Sequence, residues 1–539
     1  MASSKMYLGF SLLVIVCFLS WFPVPSVSVD HCADGDKNCT DANLCPSKCK
    51  CEGPPDNITD CSNQGLEAIP EIAEMNSYTS IFYLNGNKLG TLWRHTLPML
   101  KEYFVQNNKL THIRDDAFLD MPNITMLNLS YNSLDEISER PLKYLSSLVT
   151  LDISHNNLSA VAIHNFNGED LKALKTLDLS NNNISTIGRE GFYKLNSLVQ
   201  LNLCHNRLKT VDTGMLLGLS GLSSLYLDNN NINHIVNKAF QPLWSVTTLT
   251  LNNNDLTGLD RLTFFNMNKL ESLNLGYNML EKVPSESLRE PTFLKKLILD
   301  GNQIEKIEKE DFPLNLSPLA TLSLSDMTVL NLIHGNSFDD FEKLRSVNIS
   351  RNPKLASLAH HLFYRSFHVI RTVDISRNAL TEVDENILPW DLLFSLDVSG
   401  NKWRCDCNVL WMTHYRFHKD IKCSSPASVA DKMYIDLAHS DFKCDQKKNA
   451  SEDNRQGIRN GLAATALVVS VLLVGFLVYR FRSHFLCFKK PGTYNTLYNI
   501  YDPTRENSNN VVIKYRGDQE RVDSKTTGVD MDNEMKAIL

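Results

Sequence analysis

Residues 198–208 read Leu198-Val-Gln-Leu201-Asn-Leu203-Cys-His-Asn206-Arg-Leu208, and the same spacing, LxxLxLxxNxL, returns four more times at an unvarying 24-residue period. The next copies run Leu222, Leu225, Leu227, Asn230, Ile232, then Val246, Leu249, Leu251, Asn254, Leu256. Two more follow at Leu270, Leu273, Leu275, Asn278, Leu280 and at Leu294, Leu297, Leu299, Asn302, Ile304. Self-similarity at a fixed period of this length predicts a solenoid. In each LxL core the two leucines point to one face of a short strand and the residue between them to the other. A single copy cannot bury its apolar face, so stacked copies are expected to merge their leucines into one core behind a parallel sheet. The Asn after each strand is expected to turn inward, where its amide satisfies turn backbone that would otherwise be buried unpaired. A leucine-striped helix would space its apolar positions by 3 and 4 throughout, which the repeated 3, 2, 3, 2 with Asn does not fit.

Working outward, the Asn position marks fourteen copies: Asn87, Asn108, Asn132, Asn156, Asn182, Asn206, Asn230, Asn254, Asn278, Asn302, Met327, Asn352, Asn378 and Asn401. This pattern resembles the leucine-rich repeat, which implies an α/β fold with a curved parallel β-sheet on its concave face. Phe82 and Tyr103 make the first two copies aromatic at core positions, which suits a terminal repeat packing against a cap. Met327 breaks the Asn series and the next copy gains a residue in the Asn352–Leu355 segment, so a local irregularity is expected there.

Ten of the thirteen cysteines flank the repeats: Cys32, Cys39, Cys45, Cys49, Cys51 and Cys61 before them, Cys405, Cys407, Cys423 and Cys444 after them. A solenoid exposes its core at both ends and needs caps there. Zinc competes for the CxC pairs, but a secreted context favours disulfides. The segment from Cys45 to Cys51 with Cys61 resembles the N-terminal cysteine-rich flank of extracellular leucine-rich repeat proteins, and Asn401–Met412 with Cys423 and Cys444 resembles their C-terminal flank. The resemblance implies pairs Cys45–Cys51, Cys49–Cys61, Cys405–Cys423 and Cys407–Cys444, and leaves Cys32 and Cys39 to pair with each other. Cys204 is left over within the repeats, either as a quiet thiol or as a reactive or bridging one.

The secreted context rests on the N-terminus. Lys5 precedes an apolar run from Tyr7 to Leu19, then Pro23, Pro25 and small residues, which reads as a signal peptide; an uncleaved anchor is the competing reading. Near the other end, residues 461–479 carry no charge and are nearly long enough to span a bilayer as a helix. Arg480, Arg482, Lys489 and Lys490 follow directly, which predicts a cytosolic C-terminus and a plasma-membrane location. The expected organisation is signal peptide 1–28, N-terminal cap 29–78, repeats 79–401, C-terminal cap 402–445, stalk 446–460, transmembrane helix 461–479 and a disordered cytoplasmic tail 480–539. In the tail, Tyr494 with Leu497 fits an endocytic adaptor motif, Cys487 a palmitoylation site, and Ala537–Leu539 a weak PDZ ligand, so cytoplasmic adaptors are candidate partners.

A net charge of −7 over 539 residues argues against nucleic acid as a partner. The sequence holds no HExxH, no GxSxG and no phosphate-cradling glycine loop, so neither an enzyme nor a cofactor is expected. His360 and His361 read as loop histidines without a carboxylate partner at ligand spacing. What remains is recognition of an extracellular or cell-surface protein. On the concave face most residues between the paired leucines are small and polar, and Tyr226, Tyr277, His205 and Ile298 stand out as a central candidate patch; scattered surface residues are the alternative. Sequons at Asn38, Asn57, Asn123, Asn128, Asn157, Asn183, Asn315, Asn348 and Asn449 are candidate glycosylation sites, with Asn128 and Asn348 on the concave face towards its two ends. Signal, flanks, repeats and span together resemble leucine-rich repeat adhesion and receptor proteins of the Capricious and Tartan kind. The resemblance implies cell adhesion or cell–cell recognition, or else a receptor or co-receptor for a soluble ligand, including innate-immune recognition.

Overall fold

The computed structural model describes residues 45–444, apart from residues 55, 72–76, 163–164, 167–170, 416–418, 420 and 443. The expected signal peptide, Asn38, Cys32 and Cys39 lie outside the described residues, as do the stalk with Asn449, the 461–479 span and the tail with Cys487, Tyr494 and Leu497. No helix among the described residues is long and apolar enough to cross a membrane.

Strands of three residues stack into one sixteen-stranded sheet. It begins with Lys50–Glu52, antiparallel to Ile58–Asp60, and every later strand is parallel to its neighbour through Ser395–Asp397. Register is exact from copy to copy: Leu177 pairs with Leu201, Leu201 with Leu225 and Leu225 with Leu249. That register puts both leucines of each LxL in the core, where Leu201, Leu203, Leu225, Leu227, Leu249 and Leu251 are wholly buried. Each such side chain contributes about 2 kcal/mol of hydrophobic stabilisation.

The side away from the sheet holds almost no helix. Among the described residues α-helix is confined to Glu139–Leu142, and the rest is turns, short 3-10 segments and paired two-residue strands such as Thr210–Val211 with His234–Ile235. The helical half of the expected α/β class is therefore a correction. A 24-residue period leaves too little chain after the strand and its Asn to lay down a helix of several turns and return. A phenylalanine row missed in the leucine pattern fills that side instead. Phe166 stacks on Phe192 with ring centroids 5.9 Å apart, Phe240 on Phe264 at 6.1 Å, and Phe338 packs on Phe363 at 5.9 Å.

Both ends are capped. Cys45–Cys51 and Cys49–Cys61 are bonded at the first strand pair, and Cys405–Cys423 and Cys407–Cys444 at the other end. There Trp403 is buried over the last copy and its Nε1 donates to the Val398 carbonyl at 3.0 Å. Phe82 and Tyr103 stack in the core of the first two copies.

Candidate functional site

The side chains between paired leucines form the solvent-facing row of the sheet, and most of them are occupied in holding the strand end. Asn128, Asp152, Asp178, Asn202, Asn274, Asn348, Asp374 and Asp397 each accept, through Oδ1, the backbone N–H two residues on, at 2.8–3.0 Å. This is the Asx turn that short carboxylates and amides favour. Several are buried rather than open: Asp152, Asp178, Asn202, Thr250 and Ser323 all have less than a tenth of their surface exposed.

At Thr250 and Ser323, whose hydroxyls make that turn only weakly, a carboxylate one copy back takes the amide instead. Asp228 Oδ1 accepts from Asn252 N at 3.2 Å and Asp300 Oδ1 from Ser325 N at 2.8 Å. Asp228 Oδ2 also takes Thr250 Oγ1 at 2.6 Å and the Cys204 thiol at 3.2 Å. Cys204 is wholly buried and forms no disulfide among the described residues, so a bridge to another chain is not available to it. Burial, and then the neighbouring Asp152 charge, pushes the Asp178 carboxyl up to about 7. Burial likewise raises Asp152 and Asp300.

The four patch residues fall in two rows and two groups. Tyr226 and Ile298 belong to the outward row and are half-buried. The strands Thr248–Thr250 and Ser272–Asn274 lie between theirs, a separation of about 14 Å. His205 and Tyr277 belong to a second row that the sequence reading did not distinguish. In all fourteen copies the residue before the ladder position has a left-handed backbone, with φ between 52° and 72°. Gly, Asn or Asp takes eight of these positions at little cost. The other six are Tyr131, His155, His205, Tyr277, Arg351 and Arg377. Strand outward positions and left-handed positions thus lie at different points along each copy.

Within the left-handed row side chains meet across copies. Tyr131 stacks on His155 with centroids 3.9 Å apart, and the pair lines a shallow hollow with Asn107 and Asn181. Burial, and then the nearby His205, lowers the His155 pKa; burial also lowers that of His205, against the pull of Asp228. Further along, Tyr277 lies over Gly301 and its hydroxyl donates to Asp326 Oδ2 at 2.8 Å. Arg351 grips the same carboxylate with Nε on Oδ1 at 2.5 Å and Nη2 on Oδ2 at 2.6 Å. Burial opposes ionisation of Asp326, but Arg351 and Tyr277 outweigh it and hold the carboxyl below its usual range. Tyr277 is therefore held in place across the series rather than standing free.

Among the described sequons, Asn128 and Asn348 are part-buried, and each Oδ1 accepts the hydroxyl of its own sequon serine, Ser130 or Ser350, at 2.7 Å. Asn123 Nδ2 donates to the Pro98 carbonyl at 2.7 Å and Asn315 Nδ2 to that of Leu288 at 2.9 Å. Asn183 Nδ2 donates to Asn157 Oδ1, joining two sequons in adjacent copies. Asn57 takes a left-handed turn conformation before the second strand. His360 is an exposed loop histidine whose Nδ1 lies 2.8 Å from Asp384 Oδ2, brought there by the 24-residue step to the next copy. Among the described residues no cluster of His, Cys, Asp or Glu is arranged to hold a metal ion.

The leucine rich repeat family model matches residues 98–158, 146–208, 197–256 and 244–304. Keratocan of Danio rerio is 30% identical over 208 residues, covering 38% of this chain and 58% of that protein. The leucine-rich repeats and immunoglobulin-like domains protein 2 of Mus musculus is 30% identical over 185 residues, covering 33% of this chain and 14% of the relative. The chain thus spans less than two thirds of either relative. Among solved structures, a leucine-rich repeat protein of Leptospira interrogans matches 64% of this chain and 90% of its own at 24% identity and a TM-score of 0.49. A chain from the octameric complex of Latrophilin 3, Unc5D and FLRT2 matches 74% of this chain and all of its own at 22% identity and a TM-score of 0.44. Stacked strands, inward asparagines and the matched residues agree that this chain carries a leucine-rich repeat solenoid with disulfide-bonded ends.

Proposed function

We propose that this chain is a single-pass cell-surface protein of the leucine-rich repeat adhesion and receptor type, similar to Capricious and Tartan, that recognises a protein partner through the solvent-facing side of its sheet. One observation carries this reading. The outward row is a surface whose polar side chains are already committed to Asx turns, and Tyr226 and Ile298 project from it as apolar side chains with few rotamers to freeze. Recognition there needs no chemistry from the chain, and no enzymatic role is assigned. The signal peptide 1–28, the helix 461–479 and glycans at the sequons would place the solenoid outside the plasma membrane and leave Tyr494, Leu497 and Cys487 to cytoplasmic partners.

The test is to display the full-length chain on cells. Clustering of expressing cells supports adhesion; a ligand-dependent signal that requires a second receptor supports the co-receptor alternative. In either assay Tyr226→Ala together with Ile298→Ala is expected to weaken partner binding by about tenfold or more. Undiminished binding by that double variant would remove the sheet centre from the site.

A further inference from the structure

The first strands of the sheet carry a feature absent from its middle. On the solvent-facing side Tyr83 and Phe104, which pair across adjacent strands, stack with ring centroids 4.8 Å apart and planes 11° from parallel. The entry positions of the same strands bring Ile81 beside them, with Ile58 on the strand before and Met126 on the strand after, and all five side chains are half-exposed. At the equivalent positions in the middle of the sheet stand Gln200, Ser224, Thr248 and Ser272. Each of four neighbouring strands thus contributes at least one apolar side chain over a width of about 14 Å, with Glu102 set between Ile81 and Met126.

Its rim is acidic. Glu52 lies across from Ile58, Asp60 pairs with Tyr83, and Glu102 pairs with Ile81. The charges of Glu102, Asp60 and Glu52, after burial itself, raise the Tyr83 hydroxyl pKa, so all three carboxylates lie within electrostatic reach of the aromatic pair. Lys50 lies across from Asp60, which leaves the carboxylates in excess. A stacked aromatic pair inside a ring of carboxylates attracts a cation twice, through the ring faces and through the rim. Apolar neighbours on the same surface reward flanking aliphatic side chains.

We infer that Ile58, Ile81, Tyr83, Phe104 and Met126, rimmed by Glu52, Asp60 and Glu102, form a docking surface for a protein segment in which Lys or Arg alternates with apolar residues. This deepens the reading of the sheet as a recognition face, and rests on it. It also moves the contact towards the N-terminal cap. Asn128, whose sequon borders the patch, closes its far side through its Asx turn.

The experiment uses the full-length chain in a neutral detergent, with Ser130→Ala to remove the bordering sequon while leaving Asn128 its backbone contact. Two labelled peptides serve as probes, acetyl-Thr-Arg-Leu-Lys-Leu-Thr-amide and its counterpart with Glu in place of Arg and Lys. The basic peptide is expected to bind at least about tenfold more tightly, with the preference shrinking as salt rises from about 0.05 to about 0.5 M. Glu52→Gln with Asp60→Asn and Glu102→Gln should abolish the preference, and Tyr83→Ala with Phe104→Ala should weaken the basic peptide by about fivefold or more. Unchanged circular dichroism and peptide binding by the carboxylate variant would overturn the inference, as would equal affinity for the two peptides. If either happens while a protein partner still depends on Tyr226 and Ile298, the broader reading survives and this surface alone is excluded.

Discussion

Between Asn206 and Asn302 the ladder repeats itself, and from Met327 onward it does not. In the regular part each Asn Nδ2 donates to carbonyls of its own and the preceding copy, as Asn230 does to Leu203, Leu227 and Asp228 at 3.0–3.3 Å. Its Oδ1 accepts the amide two residues past the preceding ladder position, Leu208 N at 3.0 Å. After the break the acceptor moves onto the ladder position itself, Asn352 Oδ1 taking Met327 N and Asn378 Oδ1 taking Asn352 N at 2.8 Å, while Asn401 Oδ1 accepts both Asn378 N at 3.0 Å and, in the regular manner, Leu380 N at 3.3 Å. Met327 has neither donor nor acceptor to continue the series and fills apolar space instead. At Met327 and Asn352 the shift goes with an inserted residue, because the next buried leucines, Leu330 and Leu355, come three positions on rather than two; Asn378 has no insertion, and its copy keeps the regular bond as well. Where the buried ladder loses a rung, the surface supplies a tie: Tyr277, Asp326 and Arg351 join the copies on either side of the break. The difference teaches that copy-to-copy cohesion is local and can be carried by different groups in different places.

This contrast can be broken experimentally, and the largest effect belongs to the regular ladder. Asn230→Ala would leave the Leu208 amide without its acceptor and is expected to cost about 3 kcal/mol, with hydrogen exchange accelerated first in the copies on either side. If the loss were no greater than that of a surface substitution, the asparagines would not be what fixes the stack. Next comes Gly301→Ala, which adds a Cβ at φ +67° and 2.4 Å from the Tyr277 ring. It should cost about 2 kcal/mol and release Tyr277 from Asp326, a change readable in the tyrosine fluorescence.

A pH signature comes next, on the copies before the break. The folded Asp178 carboxyl sits at about 7 against 3.8 for the ordinary group, so the folded state holds a proton that the unfolded chain has lost between those values. Its contribution is complete below about pH 4 and disappears as pH rises through 7. Asp178→Asn should flatten the decline in unfolding free energy across that window. A slope unchanged by the substitution would mean that Asp178 is ionised throughout. Smallest is Arg351→Ala, which removes a partly exposed clamp and should cost about 1 kcal/mol. Its signature is position rather than size: faster exchange confined to the copies from Tyr277 to Asn352, where the ladder is interrupted. Uniform exchange across all copies would refute the idea that this tie compensates for Met327.

Sequence alone determined the solenoid, because a 24-residue period of LxL and Asn has one cheap way to bury its leucines and pair its turn backbone. It also located the irregularity, since thioether cannot replace amide at Met327. The candidate site was less legible. Tyr226 and Ile298 were identifiable by alternation along a strand, but the left-handed row that separates His205 and Tyr277 from them is a backbone property. Its only trace in sequence is Gly, Asn or Asp before the ladder residue, and tyrosine and histidine obscure that trace. Only the tertiary structure decided which polar side chains are spent on Asx turns, that Asp326 is shared by Tyr277 and Arg351, and that Tyr83 and Phe104 face one another inside three carboxylates. The physical reason is that stacking brings residues together from separate copies. Their contacts depend on insertions, register and rotamers that no single copy encodes.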